Sequence, residues 1–166
     1  MRNIPHKGPV VAVISVSEAV ELYAMRGLLE GFAAREFARL ADSTAIASFG
    51  AAVKELRAQA LAQNKEGVLR AKTQLYDVLL DHCGNSLIKE SLVSLYSRIN
   101  LLRTTSLMHP DRLPASLREI DKLHKLIKAR DEDGAELAAR THVANARDAA
   151  LRVLAEVLDD TPAQAA

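Results

Sequence analysis

The sequence predicts an all-α, antiparallel bundle of six to seven helices behind a short strand-like lead. Three observations predict it. Apolar residues recur at spacings of three and four along most of the chain, glycine and proline fall where that pattern breaks, and only one short β-branched run departs from it.

That run is Val10, Val11, Ala12, Val13 and Ile14, set off by Pro5, Gly8 and Pro9, and it reads as a strand. Ser15 stands three residues before Glu18, a capping-box spacing, so helix one is expected to begin near Val16, with Leu22, Met25, Leu29 and Phe32 as its stripe. Asp42 or Ser43 can cap a second helix carrying Ile46, Phe49, Val53, Leu56 and Ala60, which fades at Asn64. A third helix is expected from about Lys65, with Leu69, Tyr76, Leu79 and Cys83 on one face, and Gly84 with Asn85 supplies a left-handed stop. Helix four repeats Ile88, Leu92, Leu95, Ile99 and Leu102 at fours and threes until His109 and Pro110 end it. After a link at Leu113 and Pro114, helix five carries Leu117, Ile120, Leu123 and Ile127 and stops at the charged turn Arg130 to Gly134. Helix six follows, with Leu137, Ala144, Leu151 and Leu158 at sevenfold spacing, until Thr161 and Pro162 release the tail.

Composition narrows the function classes. With 49% hydrophobic and 26% charged residues, the 166-residue chain is built as one folded domain and not as a disordered or low-complexity segment. Lys+Arg 22 against Asp+Glu 21 leaves a net charge of +1, which provides no field for holding a polyanion. This chain is therefore not expected to bind nucleic acid by itself. The single Cys83 forms no internal disulfide, no run of about 18 apolar residues occurs, and no cleavage-site pattern follows the Val10 to Val16 stretch; a cytoplasmic protein is expected.

No metal, nucleotide or nucleophile-elbow motif is present, and no catalytic residues are assigned. The notable residues are polar ones on apolar faces, each of which must find a partner or cost about 1–3 kcal/mol. Lys72 and Tyr76, four apart, share the stripe of Leu69, Leu79 and Cys83; they either line a pocket for an anionic ligand or lie at the bundle edge with the ammonium reaching water. His142 and Asn145 sit beside the stripe of helix six, as core groups or as ligand contacts. Arg26, Arg98 and Arg103 border apolar seams and are candidates for clamping a carboxylate or phosphate; the alternative pairs Arg26 with Glu30 and turns Arg103 to water. His124 is on the packed side of helix five, as core or as a second pocket wall, and Cys83 reads as a small buried hydrophobe.

Three segments, taken in order, resemble a known family. Glu21 to Glu30 (ELYAMRGLLE) resembles the opening helix of the FadR C-terminal (FCD) effector domain of GntR-family transcription regulators. His82 to Leu87 (HCGNSL) is similar to that family's Ala-Ser-Gly-Asn-Pro-Leu turn, and Ile127 to Glu136 (IKARDEDGAE) to its last interhelix turn, with His142 beyond it. The likeness runs from about Ala19 to Leu158. Upstream, Ile4 to Ala12 resembles the wing strand that closes the family's winged helix-turn-helix, and everything before the wing is missing from this sequence. The chain is then either a truncated regulator or a stand-alone sensor. The resemblance divides the sequence into residues 1–15, a wing and linker remnant; 16–160, the ligand-binding and dimerisation domain; and 161–166, a frayed tail.

The resemblance implies a homodimer with a metabolite cavity in each subunit, acting on DNA only through an N-terminal domain that this sequence lacks. Many such domains hold a divalent metal with an Asp and a His four apart on the third helix and two later His residues. The matching positions here are Lys72, Tyr76, Ile120 and His142, which implies a metal-free, cofactor-free pocket in which Lys72 substitutes for the metal's charge. The expected ligand is a small anionic metabolite of carboxylate or acyl type, neutralised by Lys72, Arg26 and Arg98 or Arg103, with Tyr76, His142 and Asn145 as hydrogen-bonding groups. The alternative is a helical homodimeric interaction module with no small ligand. A metalloenzyme would need inward carboxylate and imidazole ligands that the stripes do not offer.

Overall fold

Six helices make up almost all of residues 14–159, the part of the chain that the computed structural model describes: α1 Val16–Leu40, α2 Ser43–Leu61, α3 Lys65–Asp81, α4 Ser86–Leu107, α5 Arg112–Lys128 and α6 Glu132–Asp159. The fold is all-α, as expected. Of the strand-like lead only Ile14 is described, without regular structure, and the tail from Thr161 also lies outside the described residues.

Side chains set most helix starts. Ser15 Oγ accepts from the Glu18 amide at 3.1 Å, and Asp42, not Ser43, caps α2 by accepting from Ala45 N at 2.7 Å. Asn64 and Asn85 do the same for α3 and α4, through Gly67 N at 3.1 Å and Ile88 N at 3.3 Å. Gly84, at φ +73°, takes the left-handed turn between α3 and α4 that its position predicts. The link at Leu113 and Pro114 is corrected. Helix α5 begins at Arg112, and Pro114 sits in its first turn, where a missing N–H costs no intrahelical bond.

Helices α1 and α6 form the broadest contact in the bundle. Their meeting faces are alanine-rich: Ala19, Ala33, Ala34 and Ala38 on α1, and Ala135, Ala138, Ala139 and Ala150 on α6, are all buried. Small side chains let the two backbones approach closely, so larger residues are displaced to the flanks. Two expected stripes shift for this reason. On α1, Met25 and Phe32 are exposed while Leu22, Tyr23, Ala33 and Phe37 face inward; on α6, Leu137 is exposed and Ala144 and Leu151 are half-buried beside Val143 and Leu154 in the core. The side chain of Leu158 lies outside the described residues. In α4 the stripe is buried throughout, and in α2, α3 and α5 it is buried except for the half-buried Ile46, Ala60, Leu69 and Leu117.

Close alanine packing carries a test. Ala34→Leu adds three heavy atoms where none fits and should cost about 1–3 kcal/mol, read as a lower urea midpoint with an unchanged slope. Unchanged stability would contradict the close α1–α6 contact.

Candidate functional site

A cavity of about 460 Å³ opens among α1, α3, α4, α5 and α6. Its size suits a small organic molecule. Its polar lining includes Tyr23, Arg26, Lys72, Arg103, Arg112 and His142.

Lys72 is buried, and its Nζ donates to Ser116 Oγ at 2.9 Å and lies 3.2 Å from His142 Nε2. His142 Nδ1 is 2.5 Å from Glu119 Oε2, a contact that requires the proton on Nδ1. That tautomer leaves Nε2 as an acceptor for Lys72. Burial, reinforced by the Lys72 charge, pushes the His142 pKa down to about 3, so the ring is neutral at ordinary pH.

Glu119 is the hub of the α5–α6 side. Arg112 grips it bidentately, Nη1 to Oε1 at 2.9 Å and Nη2 to Oε2 at 2.8 Å, and Asn145 Nδ2 donates to Oε1 at 2.7 Å. Burial would raise the Glu119 carboxyl, but hydrogen bonds from His142 and Arg112 outweigh it and hold the pKa at about 2. A second buried pair closes the α1 side: Arg26 Nε donates to Glu30 Oε1 at 2.6 Å, and Tyr96 Oη donates to the same oxygen at 2.6 Å. Arg26 also reaches Tyr76 Oη at 3.4 Å.

Burial first, and then the guanidinium groups around it, set the state of Lys72. Burial, together with the positive charges of Arg112 and Arg26, lowers its pKa to about 7, and the weaker pull of Glu30 does not restore it. Arg103 differs from Arg26 and Arg112. Its guanidinium stacks on Tyr96 at 4.0 Å, and it has no carboxylate partner among the described residues. Tyr23 Oη is buried on the cavity wall next to the Ser106 hydroxyl, which itself donates to Arg103 O at 3.1 Å.

Four of the seven expected site residues, Arg26, Lys72, Arg103 and His142, line the cavity. Tyr76 stands behind the wall, its ring 5.7 Å from Lys72 Nζ, and the exposed Asn145 acts on the cavity only through Glu119. Arg98 is corrected: it lies on the outer face of α4, paired with Glu18, because a residue five before Arg103 is turned well away from it on a helix. Arg26 does pair with Glu30, the alternative weighed for it. His124 is no wall of this cavity; it is half-buried between α2 and α5, against Phe49 at 5.9 Å and over Gly50, where a Cβ would lie 2.9 Å from Nε2.

With α5 starting after Pro114, Arg112 falls in the link, and Ser116 and Glu119 read as ordinary polar positions on the helix surface. The signal was present: stepping back from Ile120 by fours reaches Ser116 and Arg112 on the same face. Ile120 is buried in the core. At the positions matching the family's metal ligands, Lys72 puts a primary amine beside His142, and among the described residues no three His, Cys, Asp or Glu side chains gather. This donor set does not fit a divalent cation.

The six-helix bundle and the cavity between five of its helices define an all-α domain with a candidate ligand site. The FCD domain family matches residues 21–145, and the chain belongs to that family, the C-terminal effector-binding domain of GntR-family regulators. No curated protein matches the chain. No helix among the described residues is long and apolar enough to cross a membrane.

The lowered pKa values fix the sign of the pH dependence. Between about pH 7, where folded Lys72 titrates, and 10.4, its unfolded value, the unfolded chain binds the extra proton, so stability rises with pH by at most ~1.4 kcal/mol per unit. On the acid side, His142 destabilises as pH falls from about 6.5 towards about 3, and Glu119 as pH falls from about 4.3 towards about 2. Lys72→Met should flatten the alkaline limb in thermal unfolding and keep the acid limb. An alkaline limb unchanged by the substitution would assign it to another group.

Proposed function

We propose that this domain senses a small anionic metabolite in the cavity and transmits its presence to a DNA-binding domain of a GntR-type regulator. Its role is regulatory and not catalytic, and its setting is the cytoplasm. The observation that carries the reading is Arg103: a permanent cation on the cavity wall, preorganised by stacking on Tyr96, with no acid of its own. The buried Tyr23 hydroxyl on the same wall, beside Ser106, supports it by offering the ligand a second polar group. The ligand's acid binds Arg103, and its more distant polar group meets Lys72.

The cavity touches five of the six helices, so a ligand that prefers one arrangement of α1 and α4 shifts the population towards it and moves whatever those helices carry. The active unit is a homodimer. Exposed Met25, Leu28 and Phe32 on α1 give that pairing an apolar surface. The residues before Val16 belong to a wing and linker leading into the sensor, and those after 160 to a tail.

Thermal-shift titration with a panel of mono- and dicarboxylates tests the reading. At least one should stabilise the protein, and Arg103→Gln should weaken that ligand by about tenfold or more while circular dichroism stays unchanged. A panel without effect, or a response indifferent to Arg103→Gln, would favour the interaction module instead. The dimer has its own check: Phe32→Glu should shift the mass measured by light scattering from two chains to one. A single-chain mass for the unsubstituted protein would remove the dimer.

A further inference from the structure

Lys72 is placed as a nucleophile more than as a charge. A site built only to hold an anion gains most from a permanent cation, and the cavity already has one in Arg103. Lys72 lies deeper, among groups that disfavour its ammonium form. The carboxylates inside the bundle that would stabilise it, Glu30 and Glu119, are taken by Arg26 and Arg112. Of the three positions around Nζ besides its own chain, Ser116 Oγ and the neutral His142 Nε2 occupy two, and the third is left to the cavity that Lys72 lines.

We propose that Lys72 captures a small carboxylic acid bearing an aldehyde or ketone as a reversible imine, with Arg103 holding the acid group. The proposal rests on the cavity being a ligand site for acids, and it adds a covalent bond to that reading. In the step, the amine lone pair forms a bond to the carbonyl carbon, while the carbonyl oxygen takes the π pair and one N–H proton to give a carbinolamine. That hydroxyl then leaves as water with the second N–H proton, and C=N remains. Nothing is oxidised or reduced, and hydrolysis reverses the sequence.

Three features of the site favour the step. The amine, with a pKa of about 7, is about half unprotonated at neutral pH, whereas an exposed lysine is almost wholly ammonium. Ser116 and His142 hold the nitrogen in place, as positioning residues, by accepting its N–H groups. Burial restricts the water that would hydrolyse the product.

The test is reductive trapping on the full chain with succinic semialdehyde and cyanoborohydride at mildly acidic pH, followed by intact mass and peptide mapping. The expected result is a mass gain equal to the probe less one oxygen, mapped to Lys72 at a rate at least about tenfold above any other lysine. Lys72→Arg, which keeps a cation but cannot form an imine, should lose this adduct and keep the surface labelling. Labelling of Lys72 at or below the surface level overturns the proposal. Succinate, which has the acid but no carbonyl, separates the two claims by thermal shift. Stabilisation by succinate without preferential Lys72 labelling overturns the imine and leaves the acid-binding cavity standing, whereas no stabilisation by either compound and no Lys72 adduct overturns both.

Discussion

Two arginines hold the two acids inside the bundle, and the character of the cavity follows from that. Arg26 with Glu30 and Arg112 with Glu119 are mutually satisfied pairs, the second bidentate. Desolvating four charges is tolerated because each pair is tightly hydrogen-bonded and further supported, by Tyr96 on one side and by His142 and Asn145 on the other. The consequence falls on Lys72. It is a buried amine bordered by guanidinium groups, with hydroxyl and imidazole partners but no carboxylate, and so it is more neutral than a lysine in water.

The same arrangement leaves the cavity without a donor set suited to a metal. A divalent ion needs several anionic or neutral donors converging on one point. Here the first donor position is an amine, the second is a tyrosine behind the wall, the third is the core residue Ile120, and only His142 keeps a ligand's chemistry, with both ring nitrogens already engaged. The charge that a metal would bring is divided between Arg103, which is permanent, and Lys72, which depends on pH. In the recognition pattern proposed above, the first holds an acid and the second a polar or reactive group.

Much of the fold was legible in the sequence because helix boundaries are written locally. Ser15 and Gly84 act at the positions their chemistry suggests, and the fours-and-threes stripe of α4 is buried from Ile88 to Leu102; Asn85, expected with Gly84 in the left-handed stop, is instead extended at φ −143° and caps α4, as Asn64 caps α3. What was misread depends on neighbours. The leucine row of α6 looked like its core face, yet the face it turns to α1 is rich in alanines, whose weak apolar signal conceals their place in the broadest contact. The site was half legible for a similar reason. Lys72 and His142 stood out as polar residues on apolar faces, whereas Arg112 and Glu119, seven apart, look like ordinary surface charges until Pro114 is accepted inside the first turn of α5. Arg98 and Arg103 looked equivalent on α4, and only the packing of α1 and α3 separates the cavity side from the outer side.

The central claim, that captured carboxylates leave Lys72 uncompensated, is tested most directly by carbon-13 NMR of lysine-labelled protein. The ε-carbon shift of Lys72, assigned by its absence in Lys72→Met, is followed against pH. A midpoint near 7 is the result that this account predicts. A midpoint close to the ordinary lysine value of about 10.4 would mean that the amine is fully compensated, and would contradict both the charge partition of the cavity and the chemistry inferred from it.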